Sequence, residues 1–507
     1  MFPGTLIIRA DATAAIGHGH VMRCLALAQA WQDRGGECVF AMAEPIPEMK
    51  ARLCTEGFEV IPFTVASGSS DDAAQLAELA RVRDASWIVV DGYQFRAEYH
   101  RALKSAGVRL LVIDDSGHAG SYCSDLVLDQ NAGTRESFYD RRAPYTELLL
   151  GSRYAMLRRE FTRCREWKRE IPPIASKILV TMGGSDPENL SLSVLQSLSF
   201  SQLKGVEVTV VCGGSNPHVS ALKTLAEKSA GSLRLIVGAN DMSELMAWAD
   251  VAVSSAGSTC WEMCMLGLPA VVIDAAPNQL PLAQELDRRK IAVHMSRPGL
   301  DISQLAAKIE WLVNAPEVRS IMSANASQLV DGRGAERVVA AMQAPPMTLR
   351  PARAEDCHLL WQWTTDPSVR SASFSPEPIT WEQHQAWFTS KIKDPQCLIL
   401  IGEDEHGKAL GQFRVDFRLD REAEIDVSVS PEHRGMGWGS RLIGQCVGRV
   451  FNSTDAQRVH AFIRVENSAS IRAFQGARFA AVGTDLVKGH AAVHYLREKS
   501  QPEGKES

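Results

Sequence analysis

Residues 1–342 alternate short β-rich runs with helical stretches, and this alternation limits the possible folds more than any other feature of the chain. The runs are TLIIRA (5–10), SWIVVDGY (86–93), RLLVIDD (109–115), KILVTMGG (177–184), VEVTVVCGG (206–214) and VAVSSAG (251–257). Helical candidates lie between them at 20–34, 186–198 and 301–313. Strands separated by helices imply parallel sheets covered by helices. The stretch is too long for one ordinary core, so two doubly wound halves are expected. Their junction falls near 165–176, where RCREWKREIPP ends in two prolines, which gives halves at 1–168 and 169–343.

A second break is sharper. Ala344-Pro345-Pro346 interrupts a helix, and TLRPARAED begins a new strand–helix pattern. Proline stops a helix and disfavours helical geometry just before itself. Residues 347–497 then make one small α+β domain of ordinary size, and the polar tail 498–507 is expected to fray. The expected fold class is α/β, a pair of doubly wound domains followed by an α+β domain.

Composition excludes several function classes. Of 507 residues, 45% are apolar and 22% charged, as in globular proteins. The net charge of −6 supplies no basic field, so nucleic acid is not an expected partner. There is no apolar run of about 18 residues, so no membrane-spanning helix is expected. The start, MFPGTLIIRADA, reads as a strand rather than a secretion signal. The eleven Cys are scattered, without a CxxC pair or zinc-ligand spacing, and read as reduced core thiols. The expected location is the cytoplasm, with no membrane partner and no metal.

Three loops carry chemistry. In RADATAAIGHGHVMRCLALAQAW a strand ends at Arg9-Ala10-Asp11, a Gly-rich loop carries His18 and His20, and a helix begins near His20. Val21, Cys24, Leu25, Ala28 and Trp31 form its apolar face. Open α/β sheets place ligands at the C-terminal ends of their strands. A histidine at that helix start is held rigidly, and the dipole should lower its pKa and leave a neutral proton acceptor. On spacing alone, a capping histidine that does no chemistry is the better fit. Further on, VTMGGSDPENL puts Gly183, Gly184 and Ser185 between a strand and a helix, a backbone anion site. VAVSSAGSTCWEMCMLGLPAVVID repeats the design with Gly257, Ser258 and Thr259, followed by Glu262. One such loop is a plain connection, but two at successive strand ends favour a nucleotide. Asn278 and Gln279 open the next helix.

The third loop follows the strand EIDVSVS. Arg434-Gly435-Met436-Gly437-Trp438-Gly439 leads into a helix with Leu442, Ile443, Cys446 and Val447 on one face. Glycine-exposed N–H groups at a helix start make a pyrophosphate cradle, although three glycines also fit an ordinary junction.

The rest of this domain resembles the GNAT acetyltransferase superfamily, whose R-x-x-G-x-G loop holds the pyrophosphate of acetyl-CoA. The likeness puts Arg434, Gly437 and Gly439 in that loop. Gly435, Ser440 and the preceding strand residues Val427 and Val429 become further acetyl-CoA contacts. ENSASIRAFQGARF resembles the second superfamily motif, with Asn467 on the pantetheine arm. Phe474 stands where many relatives carry an acid tyrosine, and Ala477-Arg478 replaces the usual small-residue and Gly pair before Phe479. The customary acid is therefore missing. Amine acetylation needs a neutral amine, and the resemblance makes Glu424 the candidate base, although a solvated strand carboxylate fits as well. Tyr495 and His494 are weaker acid candidates, and Tyr495 reads more readily as packed. The segment LRPARAEDCHLLWQWTTDPSVRSASFSPEPITWEQHQAWF resembles acetyltransferases of nucleotide-linked 4-amino sugars, through its W-x-W-x-x-D-P run, S-F segment and H-x-x-W-F ending. Most of Trp361, Trp363, Trp381 and Trp387 read as core rather than as stacking platforms.

Across most of 1–340, the pattern D-x-x-x-x-I-G-x-G-H-x-x-R resembles the UDP-sugar hydrolase family of pseudaminic acid synthesis, related to the glycosyltransferases that add N-acetylglucosamine in peptidoglycan assembly. Asp91 and Tyr93, Asp114 and Asp115, Asn131, Tyr154 and Arg158 lie in its other matching segments. The likeness implies a metal-free GT-B-like scaffold with His20 as the base that activates water. It puts UDP on the 183–185 and 257–259 loops, with Glu262 on the ribose hydroxyls. Tyr93, Asn131, Asn278 and Gln279 would border the sugar. Asp11 would either orient His20 or hold a sugar hydroxyl. The joint expectation is acetyl-CoA-dependent 4-N-acetylation of a UDP-4-amino-4,6-dideoxy-sugar, followed by hydrolysis of the UDP-2,4-diacetamido-2,4,6-trideoxy-altrose. The alternatives are a GT-B glycosyltransferase, or a sugar-nucleotide sensor, fused to a protein N-acetyltransferase.

Overall fold

The computed structural model describes residues 3–12, 18–43, 46–143, 145–200, 203, 205–229, 232–435 and 438–499. The chain divides into two compact units, Met1–Gln343 and Ala344–Ser507.

In the first unit the apolar runs become strands buried on both faces, as parallel sheets require. The first sheet contains β1 (Thr5–Ala10), β2 (Glu37–Ala43), β3 (Glu59–Phe63), β4 (Ala85–Asp91), β5 (Leu110–Ile113), β6 (Leu126–Asp129) and β7 (Glu147–Leu150). All its pairings are parallel, in the order β3-β2-β1-β4-β5-β6-β7. Leu6 and Ile8 face the core under helix Gly19–Gln32, while Ile7 faces the opposite core with Phe63 and Tyr99. The second sheet contains β8 (Lys177–Thr181), β9 (Glu207–Cys212), β10 (Leu233–Val237), β11 (Val251–Ser255), β12 (Ala270–Ile273) and β13 (Ala292–Met295). Its order is β10-β9-β8-β11-β12-β13. In both sheets the strand order reverses beside the first strand, between β1 and β4 and between β8 and β11. Connections leave such a switch point on opposite faces and open a crevice at the strands' C-terminal ends.

The helix expected at 186–198 begins later, at Leu190, because the Asp186 carboxylate takes the N–H groups of Leu190 and Ser191 and turns the chain before it. Two segments also cross the 168/169 division. Helix Gly334–Gln343 follows the second sheet in sequence, yet Ala335, Val338, Val339 and Met342 pack into the first half's core. Trp87 Nε1 on β4 donates to the Met342 carbonyl at 3.0 Å. Ala155, Leu157 and Phe161 travel the other way and pack with Met246 and Trp261 of the second half. Each half thus lends a segment to the other.

The second unit holds β14 (Thr348–Pro351), β15 (Cys397–Glu403), β16 (Ala409–Phe417), β17 (Glu422–Val429), β18 (Arg458–Arg464), β19 (Ala480–Val487) and β20 (His490–Glu498). The order is β14-β15-β16-β17-β18-β20-β19. β17 and β18 run parallel and pair only from Glu422–Arg458 to Glu424–His460, so most of β17 has no partner on that side. Helices Trp438–Ser453 and Ser468–Gly476 cover one face of the sheet. Helices Cys357–Thr365 and Trp381–Lys391 cover the other. Trp363 is buried under the latter pair, with Trp381 and Trp387 packed against the same core. Among the described residues no helix is long and apolar enough to cross a membrane.

The crossing helix gives a test. A Cβ at Gly334 would lie 2.0 Å from the Ala155 carbonyl oxygen, a backbone atom that has little room to retreat. Gly334→Ala should therefore destabilise the first unit by about 1–3 kcal/mol, as overpacking does. Calorimetric unfolding should show its transition moved down while that of the acetyltransferase-like unit stays in place.

Candidate functional site

His20 opens helix Gly19–Gln32 after β1, and Asp91 ends β4, the neighbour across the switch point. His20 Nδ1 lies 2.6 Å from Asp91 Oδ1. Asp91 is 1% exposed and takes two hydrogen bonds from Arg23, Nε to Oδ2 at 2.6 Å and Nη2 to Oδ1 at 2.7 Å. Burial works to raise the Asp91 pKa, but the charges and hydrogen bonds of Arg23 and His20 outweigh it and hold the carboxyl far below its usual range. An ionised carboxylate can only accept hydrogen bonds. His20 therefore donates through Nδ1, which leaves Nε2 as the nitrogen able to take a proton. Arg23 extends to Asp115 Oδ1 at 2.7 Å, and Asn131 Nδ2 donates to the same oxygen at 3.3 Å. The Tyr93 ring stands edge-on to His20, with centroids 5.4 Å apart. Arg23 appeared in the sequence only as the last letter of G-x-G-H-x-x-R. Three positions after His20, it shares that residue's helix face.

Asp11 does not orient His20. Its carboxylate is taken up by Arg9, by Ser67 Oγ at 2.6 Å, by Gln94 Nε2 at 3.1 Å and by the Ala43 N–H at 2.7 Å. These partners draw it toward β2, whereas β4 ends opposite the helix start and supplies Asp91. Asp11 instead ties the loops around the strand ends together.

The second half meets this cluster from the other side of the first unit. Gly183, with φ of +86°, begins the turn after β8, and Gly184 approaches so closely that a Cβ there would lie 2.7 Å from His18 Nδ1. A Cβ at Gly19 would lie 3.5 Å from Ser258 Oγ, between Gly257 and Thr259. The His18–Gly19–His20 turn thus runs between both anion-type loops, with Ser185 half-buried beside it. Asn278 Nδ2 donates to the Tyr93 hydroxyl at 3.0 Å. Gln279 Oε1 accepts from the Ala275 N–H at 3.0 Å and shapes the turn that presents Asn278. Glu262 accepts from Arg158 Nη2 at 2.7 Å. The structure therefore brings His20, Tyr93, Asn131, Asn278 and the two loops together, and Glu262 lies beyond them on Arg158. Among the described residues no group of three or more His, Cys, Asp or Glu is arranged to hold a metal ion.

In the second unit, Arg434 lies after β17 and donates to the Val429 carbonyl at 3.1 Å, to Asp366 Oδ1 at 3.0 Å and to Ser368 Oγ at 2.6 Å. Gly435 has φ of +77°, which a side chain would strain. Gly437, with Met436, lies outside the described residues. A Cβ at Gly439 would lie 3.4 Å from Ala473 Cβ, and one at Gly476 would lie 2.6 Å from Ser440 Oγ, so helices Trp438–Ser453 and Ser468–Gly476 pack closely here. Asn467 caps the second helix, its side chain accepting from the Ser470 N–H at 3.1 Å. Val427 and Val429 pack on the same core, with their backbone on the unpaired stretch of β17. Phe474 is buried against Phe479. Arg478 takes φ of +66°, a conformation that suits the glycine it replaces. Glu424 pairs with Arg418. Tyr495 is buried in the core, its hydroxyl 3.4 Å from Gln475 Nε2, which makes it a packing residue rather than an acid.

Comparison with known proteins finds relatives of both units. Residues 177–339 match the glycosyltransferase family 28 C-terminal domain, and residues 347–480 match the acetyltransferase (GNAT) domain. An uncharacterized protein of Methanocaldococcus jannaschii is 21% identical over 495 residues, covering 94% of this chain and 96% of that protein. The UDP-2,4-diacetamido-2,4,6-trideoxy-beta-L-altropyranose hydrolase of Campylobacter jejuni is 26% identical over 286 residues, covering 56% of this chain and 96% of that enzyme. The crystal structure of Acinetobacter baumannii MurG aligns with a TM-score of 0.48 at 16% identity, covering 67% of this chain and 99% of that one.

The state of Asp91 can be read from stability. Its folded pKa lies below its unfolded value of about 4, so it contributes stability above that pH and loses the contribution as pH falls toward the depressed folded value. Asp91→Asn removes this acid limb and leaves the Arg23 charge to Asp115 alone, a loss on the order of 3 kcal/mol near neutral pH. Urea unfolding from about pH 3 to pH 7 should show a lower and flatter profile for the variant. Parallel profiles would mean that the carboxylate is not held ionised.

Proposed function

We propose that this chain, which joins a glycosyltransferase family 28 C-terminal domain to a GNAT acetyltransferase domain and is homologous to the altropyranose hydrolase, acts twice on one UDP-linked amino sugar. The acetyltransferase unit transfers acetyl from acetyl-CoA to the 4-amino group of a UDP-4-amino-4,6-dideoxy-sugar. The first unit then hydrolyses the diacetamido product to free sugar and UDP. The observation that carries the hydrolytic half is the His20–Asp91 pair at the switch point, facing the two loops of the second half.

The chemistry follows from that geometry. Asp91 fixes the His20 tautomer, and Nε2 takes a proton from water. The water oxygen bonds to the anomeric carbon as the bond from that carbon to the diphosphate oxygen breaks. The departing charge is met by backbone N–H groups of the 183–185 and 257–259 loops. Tyr93, Asn131 and Asn278 lie beside His20 and border the sugar. In the second unit, the pyrophosphate of acetyl-CoA sits on the 434–440 turn. Its pantetheine arm lies along the unpaired edge of β17 at Val427 and Val429, next to Asn467. The covalent link keeps the acetylated intermediate at high local concentration near the second activity.

Incubation of the full chain with acetyl-CoA and UDP-4-amino sugars, followed by mass spectrometry over time, should show mono-acetyl transfer and then free sugar with UDP. His20→Asn should cut UDP release by about 10²-fold or more, the scale of a general base, while acetyl transfer continues. Full UDP release by that variant sinks the assignment of the base. A disaccharide in place of free sugar would make the first unit a glycosyltransferase, and transfer only to peptide amines would end the small-molecule reading.

A further inference from the structure

The acetyltransferase unit lacks the customary acid at Phe474, and its expected base Glu424 is engaged by Arg418. A different proton-carrying pair lies on the same face of the sheet. Ile399 and Ile401 of β15 pack under helices Cys357–Thr365 and Trp381–Lys391, and they pair across the sheet with Arg414 and Gln412. Arg414 pairs with Asp426, and the same face continues through Glu424 to His460 on β18. Phe462, two residues on, pairs with His494 of β20. His460 and His494 therefore face away from helix Trp438–Ser453, where the pyrophosphate turn begins. They sit where β17 and β18 cease to pair, at the closed end of the gap that runs from that turn.

The two imidazoles touch. His460 Nδ1 lies 2.9 Å from His494 Nε2, with ring centroids 5.2 Å apart and an interplanar angle of 27°. Phe462 stacks on His494 at 4.5 Å. Glu422 Oε2 lies 3.6 Å from His460 Nε2, a buried nitrogen with no hydrogen-bond partner. Asp485 Oδ2 on β19 lies 3.5 Å from His494 Nδ1. Arg458 pairs with Glu422 at 2.7 Å, and Arg418 completes the charged surroundings. Burial, together with His494 and the two arginines, holds His460 below its ordinary pKa despite Glu422. Of the two carboxylates, Glu422 is the more buried, 25% exposed against 54% for Asp485, so its field is less screened and favours the proton on His460 Nε2. His460 Nδ1 must then accept, His494 Nε2 must donate, and His494 Nδ1 is left as the open acceptor.

We propose that His494 accepts the proton that leaves the acceptor ammonium and that His460 relays one onward through their shared hydrogen bond. The proposal rests on the acetyltransferase half of the reading above and not on the identity of the acceptor. The ammonium gives one proton to His494 Nδ1. The Nε2 proton of His494 moves to His460 Nδ1, and the Nε2 proton of His460 leaves past Glu422 to solvent. The freed amine attacks the thioester carbonyl, the carbon–nitrogen bond forms and the carbon–sulfur bond breaks. The second amine proton ends on the departing thiolate. Asp485 stabilises the transient imidazolium at His494. His494 is thus the catalytic residue and His460 a positioning and relay residue.

Two measurements on the full-length chain test this. In kinetics with the UDP-4-amino sugar, or with simple primary amines followed by release of CoA thiol, His494→Gln should lower kcat by about 10²-fold. Its KM for acetyl-CoA should not change, and the acid limb of the kcat–pH profile should disappear. In NMR titration of carbon-13-labelled histidines, the signals of each member of the pair should report both protonation steps, and His460→Gln should leave His494 reporting one step only. Unchanged kcat in His494→Gln, or an identical His494 titration in His460→Gln, overturns the proposal. Turnover of simple amines but not of the UDP-amino sugar would remove the acceptor assigned above while the histidine test still runs.

Discussion

The first unit depends on one buried carboxylate. Asp91 sits between a guanidinium and an imidazole, and neither could occupy that interior without it. A lone buried charge is costly, and a histidine with an unpartnered Nδ1 would have no fixed tautomer. Arg23 supplies the compensating charge and leaves enough anionic character on Oδ1 to orient His20. The same guanidinium reaches Asp115, which in turn holds Asn131. Thus a single chain of contacts connects the ends of β4, β5 and β6 with the start of the first helix. The side chains around His20 are held in place by contacts whose charges balance one another.

That closure explains why the two halves must exchange segments. The cleft residues come from both sheets, and His18 lies against Gly184 with no room for a side chain between them. Contact at this scale requires the halves to hold a defined approach. Helix Gly334–Gln343 in the first core and Phe161 in the second provide it, because each is buried where it lands. Polar contacts at the cleft alone, such as Asn278 with Tyr93, would contribute only modest net stability each.

Much of this was legible in the residues. Buried parallel strands appear as continuous apolar runs, so TLIIRA and VAVSSAG announced themselves, and His20 stood out through its glycines. Asp91 and Asp11 could not be separated on the same terms. Both lie at the C-terminal end of a strand, and which one faces His20 depends on β4, not β2, lying across the switch point from the helix. Strand order is a property of the crossovers and leaves no local mark. The start of the helix at Leu190 was hidden for a different reason, since Asp186 acts as a cap only once the chain has turned at Gly183. In the second unit Gly435 was legible because its φ of +77° is one that glycine takes without strain. The pairing of His460 with His494 was not, although His494 stood out as an acid candidate, because the two are 34 residues apart and meet only through the register of β18 with β20.

The departures from the common acetyltransferase pattern fit together once these contacts are in view. Phe474 and Tyr495 are both buried on the face that carries helix Trp438–Ser453, so that side of the sheet offers packing rather than proton chemistry. Titratable side chains gather on the opposite face, at Asp416, Glu422, Glu424, His460 and His494. In the reaction proposed above, the amine comes from that face and meets the acetyl group across the gap between β17 and β18. Separating the two functions by face has a physical advantage. On the proposed reading the thioester stays in an apolar environment, while the ammonium, which must lose its charge before it can attack, reaches groups able to take the proton at the moment it is released.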